Sequence, residues 1–139
     1  MTRRTFIQAV FLSLFSIFLF ASIEPGRAEV KTDAVQAQLY FGLRSADGKG
    51  VSEQAWAKFL ADVVTPRFPD GLTVLAAYGQ GRSGPPPFPM MAETTKLLII
   101  VHPDDEASRQ KLNEIKQAYK ETFTQDSVFH VEVPARLVD

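Results

Sequence analysis

The sequence predicts an α+β domain of the ferredoxin-like kind: β-α-β-β-α-β, one four-stranded antiparallel sheet with two helices on one face. Three observations point there. Strict apolar–polar alternation marks a first strand from Val35. Apolar residues at helical spacing mark two helices, around Trp56 and Leu112. An apolar run, Leu97-Leu98-Ile99-Ile100-Val101, marks a strand central in the sheet. Right-handed crossovers then set the order across the sheet as fourth, first, third, second.

In the first strand Val35, Ala37, Leu39, Phe41 and Leu43 take one side, and Gln36, Gln38, Tyr40, Gly42 and Arg44 the other. The turn residues 45–50 end it. Ser52 is a good N-cap, with Glu53 in the first turn. Trp56, Phe59, Leu60 and Val63 form one helical stripe, which reads as core. Pro66 should stop this helix by keeping Thr65 out of the helical region. Pro69-Asp70-Gly71 is a tight turn into a second strand, Leu72 to Tyr78, with Leu72, Val74, Ala76 and Tyr78 on one face.

Residues 79–93 read as a long connection rich in glycine and proline. Gly79-Gln80-Gly81-Arg82-Ser83-Gly84 matches G-x-G-x-x-G by letter, but Pro85-Pro86-Pro87 follows. No helix begins that way, so phosphate binding is excluded. Pro86-Pro87-Phe88-Pro89 with Met90-Met91 is a stiff segment, either a recognition element or a variable hairpin connection. The third strand runs from Thr94 to His102. Asp104 is the expected cap of a second helix whose buried stripe is Leu112, Ile115, Ala118 and Tyr119. A last strand, Val128 to Val133, ends at Pro134. Alternation is read as placing Leu39, Phe41, Phe129 and Val131 against the helices. Gln36, Gln38, Tyr40, Val128, His130 and Glu132 then fall on the open face.

Residues 1–28 read as a cleavable export signal, followed by a polar leader over 29–34 and the domain over 35–139. Arg3 and Arg4 supply the basic start, Phe6 to Ile23 the apolar middle, and Gly26 and Ala28 the small-x-small exit. Thr-Arg-Arg-Thr-Phe-Ile-Gln resembles the twin-arginine pattern, while the strongly apolar middle suits the general secretory route. The same run, about 18 residues, is at the lower edge of bilayer-spanning length if it is not cut. The expected location is periplasmic or secreted, with membrane contact only through this segment.

Lys and Arg number 15 against 16 Asp and Glu, with no basic block, which argues against a nucleic-acid partner. The chain has no cysteine, which excludes disulfides and thiolate metal sites. No cofactor is expected. After removal of the signal roughly 110 residues remain, enough for one domain held by packing alone.

Thr65-Pro66-Arg67-Phe68 and Asp70-Gly71-Leu72-Thr73 lie almost back to back. Leu39-Tyr40-Phe41-Gly42-Leu43 precedes them and His102-Pro103-Asp104-Asp105 follows. In these segments the chain resembles a family of small exported bacterial proteins catalogued as a domain of unknown function. The resemblance covers essentially the whole domain. It implies a single bacterial domain and assigns no activity, cofactor or catalytic residue. The triple proline after Gly81 is not part of the pattern.

Candidate sites are few. His130, His102, Tyr40 and Glu132 are the expected acid–base set if they gather on the open face, since imidazole titrates near neutrality. Two histidines and a glutamate also suit zinc, but their spacing matches no ligand motif, so no metal is expected. In the other reading, His130 is solvated or at an interface and His102 satisfies a strand end. Arg67 offers a guanidinium to an anionic ligand, or pairs with Asp70 or a helix-terminal carbonyl. Gln38 is a second ligand-binding candidate. The apolar third strand on an otherwise open face calls for a cover, with a homodimer as the expected one. Two functions follow: a ligand- or partner-binding module, or a small dimeric enzyme, isomerase- or monooxygenase-like, using the His/Tyr set.

Overall fold

The structure is a computed structural model that describes residues 34–138 apart from 46, 83 and 84. The export signal, with Arg3, Arg4, Gly26 and Ala28, lies outside the described residues. Four strands form one antiparallel sheet: β1 (Ala34–Gly42), β2 (Thr73–Arg82), β3 (Met90–Pro103) and β4 (Phe129–Ala135), in the order β2-β3-β1-β4. Two helices, α1 (Glu53–Phe59) and α2 (Glu106–Phe123), cross one face.

Every second residue of β1 is buried: Val35, Ala37, Leu39 and Phe41. Leu98 and Ile100 lie beside Leu39 and Ala37 on β3 and face the same way. Trp56 and Phe59 of α1 and Leu112, Ile115 and Tyr119 of α2 close over them. At the centre, the Tyr119 ring lies 4.7 Å from Phe41, 5.2 Å from Phe59 and 4.9 Å from Phe123, centroid to centroid. Lys96 shares the helix face of β3 with them. It ends on Glu53 in the first turn of α1, Nζ 2.8 Å from each carboxylate oxygen, so a buried ammonium has its counter-charge.

Ser52 caps α1, its hydroxyl accepting the Ala55 N–H at 3.1 Å. Pro66 acts differently from expectation. Thr65 stays in the helical region, and the chain widens into a π-helical turn, Leu60–Val64, whose Thr65 N–H reaches Leu60 O at 2.9 Å. A wider turn gives the proline ring room that an α-helical turn denies it. The cap of α2 is Asp105, one residue later than expected, its carboxylate accepting the Ser108 N–H at 2.7 Å.

Two strand readings change. Much of the expected connection over residues 79–93 is a β2–β3 hairpin arm, paired out to Arg82 and Met90. Glycines at 79 and 81 hid a ladder that backbone pairing alone sustains. Pro134 does not end β4, which continues to Ala135. It lies on an edge strand, where one side of the backbone needs no partner.

The side assignment of β4 is reversed. Tyr40 pairs with Phe129 and Gln38 with Val131, so Phe129 and Val131 share the open face. His130 is opposite Leu39 and Glu132 opposite Ala37, on the helix side. Alternation gives the two sets but not which set faces inward, and a one-residue difference in register exchanges them. The open face is therefore more apolar than expected: Leu75, Leu97, Ile99, Val101, Phe129, Val131 and Val133 surround Gln36, Gln38 and Tyr40.

Candidate functional site

The expected acid–base set is not one site. Tyr40 is on the open face, where its hydroxyl donates to Gln38 Oε1 at 3.0 Å. His102, His130 and Glu132 lie on the other side of the sheet. His102 is buried beside Phe68, and its Nδ1–H donates to the carbonyl of Pro103 at 2.7 Å. Among the described residues, no three His, Asp or Glu side chains gather to hold a metal ion. Arg67 is committed within the fold: Nε donates to Glu114 of α2 at 3.1 Å, and Nη1 to the carbonyl of Val63 at 2.8 Å.

His130 is held by α2, with Lys116 Nζ 3.4 Å from its Nδ1 and its own Nε2 3.6 Å from Glu132. Burial lowers the imidazole's proton affinity first and the Lys116 ammonium adds to this, with Glu132 opposing. The unfolded chain therefore takes up this proton at higher pH than the folded one. The contribution of neutral His130 is complete above the ordinary imidazole value, about 6.5. It declines as pH falls from there towards the lower folded value. Urea unfolding at stepped pH from 7.5 to 5 should show this loss, and His130→Gln should lose less over the same interval. Parallel pH curves for both proteins would contradict the burial of His130.

A different set of residues forms a cleft of about 390 Å³ where the open face ends. Its floor is the end of β1, Tyr40 and Gly42, with Thr95 of β3 beside Gly42. Glu93 forms one wall, Phe129 another, and the α2–β4 connection, Thr124 to Ser127, the rim. The core supports it from below. The Tyr119 hydroxyl donates to the Gly42 carbonyl at 2.8 Å. Gln125 Nε2 donates to the Arg44 carbonyl at 2.7 Å and ties the rim to the strand end.

The glycine makes the cleft possible. A Cβ on residue 42 would lie 2.5 to 2.8 Å from the Glu93 carboxyl group, which crosses above it. Glu93 Oε1 accepts the Arg44 N–H at 2.9 Å. The Arg44 guanidinium turns along β3 instead, donating to the Ala92 carbonyl at 3.0 Å. Phe129 is 65% exposed and lies 5.5 Å from the Tyr40 ring. Gly42, Glu93, Arg44 and Phe129 were absent from the sequence candidates. Glu93 lies in the segment whose glycines and prolines read as a connection, and alternation alone places Phe129 on the helix side. Residues 91–97 show no apolar–polar alternation, so the sequence carries no signal that sets Glu93 in a strand.

The fold is shared with solved structures. A phage SAM lyase in complex with S-methyl-5'-thioadenosine superposes with a TM-score of 0.60 at 17% identity, over 74% of this chain and 82% of the other. A phage SAM lyase in the apo state gives 0.52 at 16% identity, over 76% and 92%. At such identities the likeness is one of fold. No curated protein matches the sequence. A family model described as a protein of unknown function (DUF3574) matches residues 36–138, almost the whole described domain, and the chain belongs to that family.

Proposed function

We propose that this is an exported, non-enzymatic binding module that holds a small molecule in the cleft over Gly42. The observation that carries this is Glu93 lying across a residue with no side chain. The missing side chain gives the Glu93 carboxylate its place over β1, at the wall of the cleft. The volume is of metabolite scale, within the roughly 300–1,000 Å³ usual for ligand sites. Export is supported by the basic start, apolar middle and small-x-small exit of residues 1–28. The fold is read as ferredoxin-like, a reading supported by the element order and by both helices packing on one side of β1.

The decisive measurement is mass spectrometry of what co-purifies with the protein from its native host. Gly42→Ala serves as the control. The Glu93 carboxylate is the far end of a flexible side chain, so it can swing away and the fold should survive, with melting within a few degrees of wild type. The displaced carboxylate and the new methyl should fill the cleft and lower ligand retention by about tenfold. Retention unchanged in a folded Gly42→Ala variant would remove the cleft from consideration.

A second reading, a small enzyme, is favoured by one observation: the fold likeness to a SAM lyase holding S-methyl-5'-thioadenosine. Tyr40 and Glu93 would be its polar groups, in place of the histidines, which lie on the other side of the sheet. Incubation with SAM, followed by mass spectrometry for S-methyl-5'-thioadenosine, tests it. Product above the no-protein background that disappears with Glu93→Gln would establish the enzyme. Its absence at high protein concentration would leave the binding module.

We also propose that a second copy covers the open face. The support is chemical: at the centre of that face Gln36, Gln38, Leu97, Ile99, Val101, Leu75, Val131 and Val133 include no charged residue. Such a face meets its own copy without like-charge repulsion. Because the cleft opens at the end of this face, the second copy would lie next to its mouth.

A further inference from the structure

We infer that the cleft selects an organic cation, a quaternary ammonium or sulfonium group on a small apolar body; this rests on the cleft being a small-molecule site. Glu93 is the starting point. Among the described residues, no Lys, Arg or His nitrogen pairs with its carboxylate. The Arg44 guanidinium, which lines the same cleft, directs one donor to the Ala92 carbonyl and one to the Met91 sulfur, and none to Glu93. Oε1 accepts one backbone N–H, and Oε2 has no hydrogen-bond partner among the described residues. A carboxylate that the guanidinium of its own cleft leaves unpaired can take its counter-charge from a ligand.

The aromatic wall narrows the class. Tyr40 and Phe129 line the same cleft as a tilted pair, and Phe129 is largely exposed. Ring faces attract cations through their quadrupole. They do so best when the cation carries its charge on apolar substituents and sheds water at low cost. A bare divalent ion finds only isolated carboxylates here, since no three potential ligands converge among the described residues. The charged residues of the lining are Glu93 and Asp126 against Arg44, a balance that is negative and disfavours an anion. Carboxylate on one side and aromatic faces on the other are therefore matched to a diffuse positive charge.

The test is a matched pair of probes of nearly the same shape: choline, and its uncharged isostere 3,3-dimethylbutan-1-ol. Each is titrated into the ¹⁵N-labelled protein while amide shifts are followed. Choline should move Gly42, Glu93, Thr95 and Ser127, with the isostere at least about tenfold weaker. Glu93→Gln should weaken choline by about tenfold with the remaining spectrum intact, and Phe129→Ala severalfold. Equal binding of the two probes, or choline binding indifferent to Glu93→Gln, would overturn the cation assignment while leaving a small-molecule cleft. If neither probe moves the cleft amides, the cation assignment falls. Whether the cleft is a ligand site at all is then decided by the metabolite-retention measurement on Gly42→Ala.

Discussion

Tyr119→Ala should destabilise the protein by about 3–5 kcal/mol, the usual cost of removing a large aromatic from a core. Total stabilities run to about 5–15 kcal/mol, so this variant should be partly unfolded at physiological temperature. Tyr119 is fully buried and touches aromatic rings from β1, α1 and α2 at once. Its loss opens a cavity that three elements cannot close together. Tyr119→Phe keeps the packing and removes only the hydroxyl, which holds the Gly42 carbonyl. That should cost about 1 kcal/mol.

The pair of variants separates packing from hydrogen bonding in urea denaturation. The Phe variant should also disturb the cleft, because Gly42 is its floor. Burial raises the Tyr119 phenol above its ordinary value. The unfolded tyrosine ionises near 10 while the folded one keeps its proton, so stability should fall as pH rises past that point. Wild-type stability in the Ala variant would mean that the three elements do not meet at Tyr119.

Ile99→Glu should leave the domain folded and abolish self-association. Ile99 sits mid-face, paired with Gln38 on one side and Thr73 on the other. Four strands about 4.8 Å apart and roughly six residues long make a face on the order of 400 Å² in projection. That is small beside the ~800 Å² per partner of standard interfaces, so the expected dimer is weak, of micromolar order. A weak dimer has little to spare. Two new carboxylates brought together across a two-fold axis cost several kcal/mol. In the monomer the same side chain is simply solvated. Sedimentation velocity over a concentration series should show a wild-type monomer–dimer equilibrium and only monomer for Ile99→Glu. A wild-type protein monomeric at hundreds of micromolar would sink the second-copy proposal.

The amino-acid order alone determined much of this molecule. The alternation of β1 named its buried side, the helical stripes named Trp56, Phe59, Leu112 and Tyr119 as core, and Ser52 announced a helix start. These are local signals with one period each, and local backbone geometry converts them directly into faces. What only the tertiary structure decided was pairing. The inward side of β4 depended on its register against β1, and that choice moved His130 and Glu132 beneath the helices and Phe129 out. The length of the β2–β3 arm depended on hydrogen bonds between segments whose side chains carry no strand signature. The cleft over Gly42 depended on both, since Glu93 comes from that arm and Phe129 from that register. A site assembled from three strands and a distant connection has no period of its own to read.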